Sequence, residues 1–124
     1  MKIIGPGVAV SRRWYAGNPN TLTAYLEAYL DGVKRSLGDP AYAKQVDAKY
    51  AHLTDQKIID DDYQEVLKAW NKDMTVDPSA IQVVLDVSAN PKAKTADVKQ
   101  FYDNTIINQV NRDYASKLFP GDVK

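Results

Sequence analysis

Apolar side chains recur at spacings of three and four residues after Asn18-Pro19, which is the pattern of one face of an amphipathic helix. Asn accepts hydrogen bonds from free helix amides, and Pro suits the first helical position because its missing N–H is not needed there. Gly38 follows the last apolar residue, where a left-handed cap is common, so the pattern predicts a helix from Asn18 to Gly38. Its predicted inner face contains Leu22, Tyr25, Leu26, Tyr29, Leu30, Val33 and Leu37.

Similar signals predict three further helices. Asp39-Pro40 begins the second, Thr54 or Asp55 begins the third, and Asp77-Pro78 begins the fourth. The inward positions are predicted to be Tyr42, Val46, Tyr50 and Leu53 in the second, Ile59, Tyr63, Val66, Leu67, Trp70 and Met74 in the third, and Ile81, Val84 and Leu85 in the fourth.

The last third of the chain predicts a loop from Asn90-Pro91 to Lys94 and then more helix. Thr95 is a candidate cap for a fifth stretch. A final helix is predicted to end at Phe119-Pro120-Gly121. The apolar positions are Val98, Phe101 and Tyr102 in the fifth stretch, and Ile106, Ile107, Val110, Tyr114 and Leu118 in the last helix.

The N-terminal segment has a different period. Gly5-Pro6-Gly7 predicts a bend, and the alternation that follows predicts a strand from about Val8 to Trp14. The sequence therefore predicts a mainly α fold, in which one short N-terminal strand precedes five or six amphipathic helices. Its 124 residues have the length of a single domain, residues 1–124.

Composition narrows the possible functions. The chain has no cysteine, which excludes disulfides and thiolate zinc sites, and its net charge is zero, which argues against a nucleic-acid partner. Residues 1–37 carry a charge of +3 and residues 54–77 a charge of −4. No apolar run is long enough to cross a bilayer, and we expect no signal peptide at the N-terminus.

Few residues indicate catalysis. Asp60, Asp61 and Asp62 would point in three directions on a helix, so we interpret them as a solvated face and not as a metal site. His52 is the only histidine, and no nucleophile motif accompanies it. We therefore expect no enzyme activity, no metal and no cofactor. Helical spacing favours a core position for Tyr25, Tyr29, Tyr42, Tyr50 and Tyr63.

The densest candidate site is Ser11, Arg12, Arg13, Trp14 and Tyr15. In a strand, Arg12 and Trp14 would share one face and Arg13 and Tyr15 the other. An Arg beside a Trp can hold an anion against an apolar wall. The alternative is an amphipathic strand end whose Trp packs on the first helix, with no ligand.

The order of these features resembles the C-terminal third of the solute-binding proteins of bacterial ABC importers. The resemblance rests on "GVAVSRRWYAGNP", then "NTLTAYLEAYLDGVKRSLGDPAYAKQVDAKY", "DQKIIDDDYQEVLKAW" and "DPSAIQVVLDVSANPKAKTADVKQFYDNTIINQVN". It looks closest to the branch that handles nitrate, taurine, alkanesulfonates and thiamine-pyrimidine precursors. Asp103 and the pair Ile106-Ile107 stand where that family closes its chain.

The resemblance implies the C-terminal part of a periplasmic-binding-protein-like α/β fold. It also implies capture of a small, often anionic solute and delivery to an ABC permease, with Ser11 to Tyr15 as the ligand-binding residues and a periplasmic location for the parent protein. The chain is far shorter than the two-lobed family members, so we expect a fragment or a short reading frame. Helix faces without their usual neighbours favour a homo-oligomer. The alternative function is a stand-alone helical interaction module that binds no ligand.

Overall fold

The computed structural model describes residues 7–123, and these residues form a mainly helical structure. The elements are α1 (Arg12–Gly17), α2 (Pro19–Gly38), α3 (Pro40–Tyr50), α4 (Gln56–Ala69) and α5 (Pro78–Val87), then two 3₁₀ turns (Ala93–Thr95 and Val98–Gln100), and a final helix made of α6 (Thr105–Val110), a π-helical segment (Asn111–Ala115) and α7 (Ser116–Leu118). The predicted fold class, mainly α, is confirmed.

The helix starts that were predicted at Pro19, Pro40 and Pro78 are confirmed, because each Pro occupies the first turn of its helix. Asp39 caps α3 by accepting a hydrogen bond from the amide of Tyr42, 3.1 Å away. Asp77 caps α5 in the same way through the amide of Ser79, at 2.9 Å. These starts follow from local chemistry and do not depend on packing.

The strand predicted at Val8–Trp14 is wrong. Residues 12–17 form α1, and residues 7–123 contain no strand. Ser11 accepts a hydrogen bond from the amide of Trp14 (3.2 Å), and this side-chain cap favours a helical turn. The bend predicted at Gly5-Pro6-Gly7 lies, apart from Gly7, outside the described residues.

Two helix ends also differ from the prediction. Gly38 is the last helical residue of α2 and is not a left-handed cap, because the C-cap is Asp39, whose backbone is kept out of the helical region by Pro40. The left-handed residue is His52 instead, with φ of 56° after the end of α3. The amide of Leu53 reaches back to the carbonyl of Ala48 at 2.9 Å, which is the long bond of a Schellman motif.

The fifth stretch, expected to follow Thr95, forms no α-helix. Thr95 ends the first 3₁₀ turn, and Asp97 caps the second by accepting from the amide of Lys99 at 3.0 Å. Both turns pack on α5. The predicted final helix and its end at Phe119 are confirmed, with the π-helical segment as an addition.

The main core lies where α2 crosses the final helix. Leu30, Val110 and Ala115 of this core are almost completely inaccessible to solvent. A smaller contact joins α3 to α4 through Ala43, Ile59 and Tyr63. The remaining buried members of the main core are Leu26, Val33, Ile107, Phe119 and Val123.

Candidate functional site

The five residues of the predicted ligand site lie together at the start of α1, where Ser11 caps the helix and the other four form its first turn. Ser11 is the cap itself, and the carbonyl of Trp14 accepts a hydrogen bond from the side chain of Asn18 at 2.9 Å. The division between two strand faces does not apply, because Arg12 and Tyr15 are now one helical turn apart.

The Arg12 guanidinium is already engaged. It donates to the backbone carbonyl of Gln100 at 2.6 Å and so ties α1 to the second 3₁₀ turn. Hydrogen bonds from Thr105 lower the pKa of Asp103, and the charge of Arg12 lowers it further. Arg13 and Trp14 are exposed and Tyr15 is half-buried. Arg12 is itself exposed but links two elements of the fold, whereas the exposed side chains of Arg13 and Trp14 make no such link.

The acidic cluster on α4 spreads out as its helical spacing predicts. Asp60 pairs with Lys44 of α3 at 2.8 Å, and Asp61 pairs with Lys57 at 2.5 Å along its own helix. Asp62 faces Asp47 of α3. No group of three or more His, Cys, Asp or Glu side chains within residues 7–123 is arranged to hold a metal ion.

Asp47 and Asp62 form a carboxyl pair across the α3–α4 contact. Burial raises the pKa of Asp47, and the neighbouring Asp62 raises it further through a shared hydrogen bond and its charge. One oxygen of Asp47 is buried without a hydrogen-bond partner. The pair therefore packs best when it holds a proton.

We expect Asp47→Asn to raise stability near neutral pH. An acid whose folded-state pKa is raised stabilises the fold fully below its unfolded pKa, and that contribution is lost as the pH rises through the folded pKa. The amide removes this loss, so the urea midpoint of the variant should exceed that of the wild type more at pH 7 than at pH 4 (values chosen around the ordinary Asp pKa of about 3.9). Asp113→Asn, on the exposed side of the final helix, is the matched control. Equal midpoints for Asp47→Asn and the wild type at both pH values would contradict the expectation.

Four of the five tyrosines that were expected in the core are exposed. Their exposed fractions are 54% for Tyr25, 43% for Tyr29, 45% for Tyr42 and 74% for Tyr50. The prediction is confirmed only for Tyr63, which is buried and donates its hydroxyl hydrogen to the carbonyl of Ser36 at 3.0 Å. Helical spacing placed the exposed four near an apolar face, yet no element of residues 7–123 covers them.

Tyr25 and Tyr29 belong to a continuous uncharged surface on α2. We call this surface the α2 stripe, defined by Thr21, Tyr25, Ala28, Tyr29 and Gly32. All five are exposed. At about 100° per residue they share one side of the helix, adjacent to the buried face. A side chain added at Gly32 would meet no atom within 4 Å, so the surface is open there.

Two charges of this part of α2 point elsewhere, and Arg35, on the stripe's side one turn after Gly32, lies beyond its end and pairs with Asp39 at 2.9 Å. Asp31 accepts a hydrogen bond from the hydroxyl of Tyr114 at 2.8 Å, on the side where the final helix packs. Lys34, one turn later, donates to the carbonyl of Leu118 at 2.8 Å on that same helix. The α2 stripe therefore combines exposed tyrosines, small residues and an absence of charge, which are properties of interface cores.

A buried polar cluster was missed by the sequence analysis. Asn111, only 4% exposed, donates to Asp73 at 2.8 Å and to Thr75 at 3.1 Å. Asn104 exchanges two hydrogen bonds with the backbone of Val76, both at 3.0 Å. These bonds fasten residues 73–76 to the final helix, where Asn111 begins the π-helical segment. The one sequence signal was an Asn at a helical position between apolar residues.

Two surface depressions on α3 and α4 are open to solvent. One lies on α4 beside Ile58, Asp61 and Glu65, and the other lies between α3 and α4 above Lys44 and Ile59. Neither includes a residue of the predicted site Ser11 to Tyr15. None of the helices described in residues 7–123 combines the length and the apolar character that crossing a bilayer requires.

Comparisons with protein-family models, with curated proteins and with solved structures find no match to this chain.

Proposed function

We propose that this chain is a helical protein-interaction module that works by associating with a second copy of itself. The observation that carries the proposal is the exposed area. A compact monomer of 13.8 kDa exposes about 6,600 Å². This chain exposes 8969 Å², which is about a third more, and the difference includes the exposed residues 7–11 that precede α1. A standard interface hides about 800 Å² on each partner, so the excess is large enough to supply one.

The kind of side chain that is exposed supports the same function. Trp14 is 39% exposed, and larger fractions are exposed of Tyr25, Tyr29, Tyr42 and Tyr50. Tyr and Trp are enriched in interfaces and among the residues that dominate binding energy, because they bury a large apolar area at a low entropic cost.

Light scattering coupled to size-exclusion chromatography tests the proposal. At about 100 μM chain we expect a mass of at least twice 13.8 kDa, decreasing toward one chain on dilution as mass action requires. A mass of one chain throughout would refute self-association.

The solute-binding function is the second candidate, because Arg13 and Trp14 present a cation and an aromatic ring to solvent on one helical turn. The same resemblance predicts the periplasmic-binding-protein-like fold, the ABC permease as a partner and the periplasmic location of the parent protein. All of these stay predictions from the resemblance. A thermal-shift screen with nitrate, sulfonates, taurine, amino acids and pyrimidines tests the ligand. A stabilising shift that Arg13→Ala abolishes would support it, and no shift with any of them would remove it.

A further inference from the structure

We infer that the α2 stripe is the surface that binds the second copy, with the two α2 helices antiparallel. This inference rests on the proposed function, since it names the surface through which self-association occurs. Three observations carry it: the order of large and small residues in the stripe, the absence of charge on it, and the open space at Gly32.

The order of residues makes the stripe complementary to itself. Tyr25 and Tyr29 form a ridge one turn long, and Ala28 and Gly32 form a groove of the same length beside it. An antiparallel second copy that crosses between positions 28 and 29 places Tyr25 over Gly32 of the other copy, and Tyr29 over its Ala28. Every large side chain then meets a small one, twice over, by the two-fold symmetry of the pair.

A parallel pairing in register does not give this fit. Tyr25 would meet Tyr25 and Gly32 would meet Gly32, so two positions would be overfilled and two left empty. The helix dipoles would also align, which is less favourable than the antiparallel arrangement. Packing of ridges along positions four apart into grooves of the same kind gives a crossing angle of about −50°, the commonest class in globular proteins.

The other exposed tyrosines offer no such surface. Tyr42 stacks against the Arg35 guanidinium, whose centre lies 4.8 Å from its ring, and Tyr50 lies beside the ammonium group of Lys49 at 5.4 Å. A partner covering either ring must also desolvate a cation. On the α2 stripe the only polar groups are the hydroxyls of Thr21, Tyr25 and Tyr29, which can keep water at the rim.

Matched glycine variants test the surface. Gly32→Arg fills the groove and adds a charge, so we expect it to abolish the dimer. Gly38→Arg is the control, because Gly38 is equally open but lies about 120° farther round α2, off the stripe. We expect Gly38→Arg to dimerise like the wild type. Both variants should keep the wild-type helical circular dichroism, since neither new side chain meets an atom within 4 Å at its Cβ.

Single cysteines test the antiparallel arrangement. Because the chain has no cysteine of its own, each variant carries one thiol at a known position. Ala28→Cys lies beside the two-fold axis and should cross-link under mild oxidation. In the same pair the two copies of Thr21→Cys lie about 22 Å apart along the helix axes and should not, since a disulfide joins Cα atoms less than about 7 Å apart. A parallel pair that is in register and nearly aligned would cross-link both variants.

The outcomes separate the inference from the function on which it rests. A wild-type chain that is monomeric at about 100 μM would overturn both the proposed self-association and the α2 stripe as its surface. A wild-type dimer that persists in Gly32→Arg, or that cross-links Thr21→Cys as readily as Ala28→Cys, would overturn the α2 stripe and leave self-association standing. A wild-type dimer that dissociates when salt is raised from about 0.1 M to about 1 M would overturn the α2 stripe as well, because salt does not screen a contact between uncharged surfaces.

Discussion

Replacing Leu30 by Ala is expected to lower the free energy of unfolding by about 2–5 kcal/mol. Leu30 has no exposed surface and lies at the centre of the contact between α2 and the final helix. Its truncation removes transfer free energy and leaves a cavity that Val110 and Ala115, both fully packed, cannot fill. Since domains of this size are stable by only about 5–15 kcal/mol, the loss takes a large share of the total.

Urea unfolding followed by circular dichroism measures this loss, with Ile58→Ala as the matched control. Ile58→Ala removes as many carbon atoms as Leu30→Ala, but Ile58 is 52% exposed, so we expect a change of no more than about 1 kcal/mol. If Leu30→Ala does not fold, Leu30→Val still removes one methylene and should cost about 1 kcal/mol. Equal costs for Leu30→Ala and Ile58→Ala would show that the main core is not where the stability lies.

The sequence predicts the helix starts well because their causes are local. An Asn or Asp before a Pro combines an acceptor for free amides with a residue that already has helical φ, and no distant contact is needed. Pro40 and Pro78 begin helices for this reason, whereas Pro19 begins α2 without a side-chain cap, because Asn18 donates to the carbonyl of Trp14 instead. The inner face of α2 at Leu26, Leu30 and Val33 was predictable too, because the apolar spacing there is long and regular.

The errors occur where two local rules compete or where packing decides. At residues 8–14 alternation favoured a strand, but a strand needs a neighbour, whereas the Ser11 cap completes α1 alone. Gly38 looked like the left-handed residue, yet Pro40 had already ended α2 by restricting Asp39. The left-handed position went to His52; His is enriched there among non-glycine residues, but such positions are uncommon, so the sequence signal was weak.

The candidate surface was hidden for a related reason. Periodicity shows which residues share a helix face, but it does not show how much of that face the rest of the chain covers. Leu26 and Tyr25 are adjacent in sequence, yet Leu26 is 5% exposed and Tyr25 is 54% exposed. Whether a second copy covers Tyr25 depends on an arrangement of helices that no single segment specifies. The α2 stripe is identifiable only from the structure, which packs the final helix against a different side of α2 and leaves the stripe exposed.

Replacing Asn111 by Asp is expected to destabilise the fold by about 3–5 kcal/mol at neutral pH. Asn111 is buried, and its amide hydrogens are what Asp73 and Thr75 bind at 2.8 and 3.1 Å. A carboxylate there has no hydrogen to donate and faces the carboxylate of Asp73 in a site with little water. The link between residues 73–76 and the final helix then becomes a repulsion.

The pH dependence separates this cause from simple loss of a contact. Burial and the charge of Asp73 raise the pKa of the new carboxyl, so the folded state keeps a proton that the unfolded chain has released. The stability of Asn111→Asp relative to the wild type should therefore fall as the pH rises from about 4 to 7, and recover on acidification. Asn111→Ala cannot be protonated, so its loss of about 1–3 kcal/mol should stay constant relative to the wild type over the same range.

Asn108→Asp provides the control, since Asn108 is exposed on the same helix and should change stability by less than about 0.5 kcal/mol at any of these pH values. Urea midpoints of the four proteins at pH 4, 5.5 and 7, spaced around the carboxyl pKa of about 4, distinguish the cases. A loss in Asn111→Asp that does not vary with pH would mean that Asp73 does not face position 111. The final helix would then be held by its apolar contacts with α2, by the hydrogen bonds of Asp31 and Lys34, and by the two bonds of Asn104.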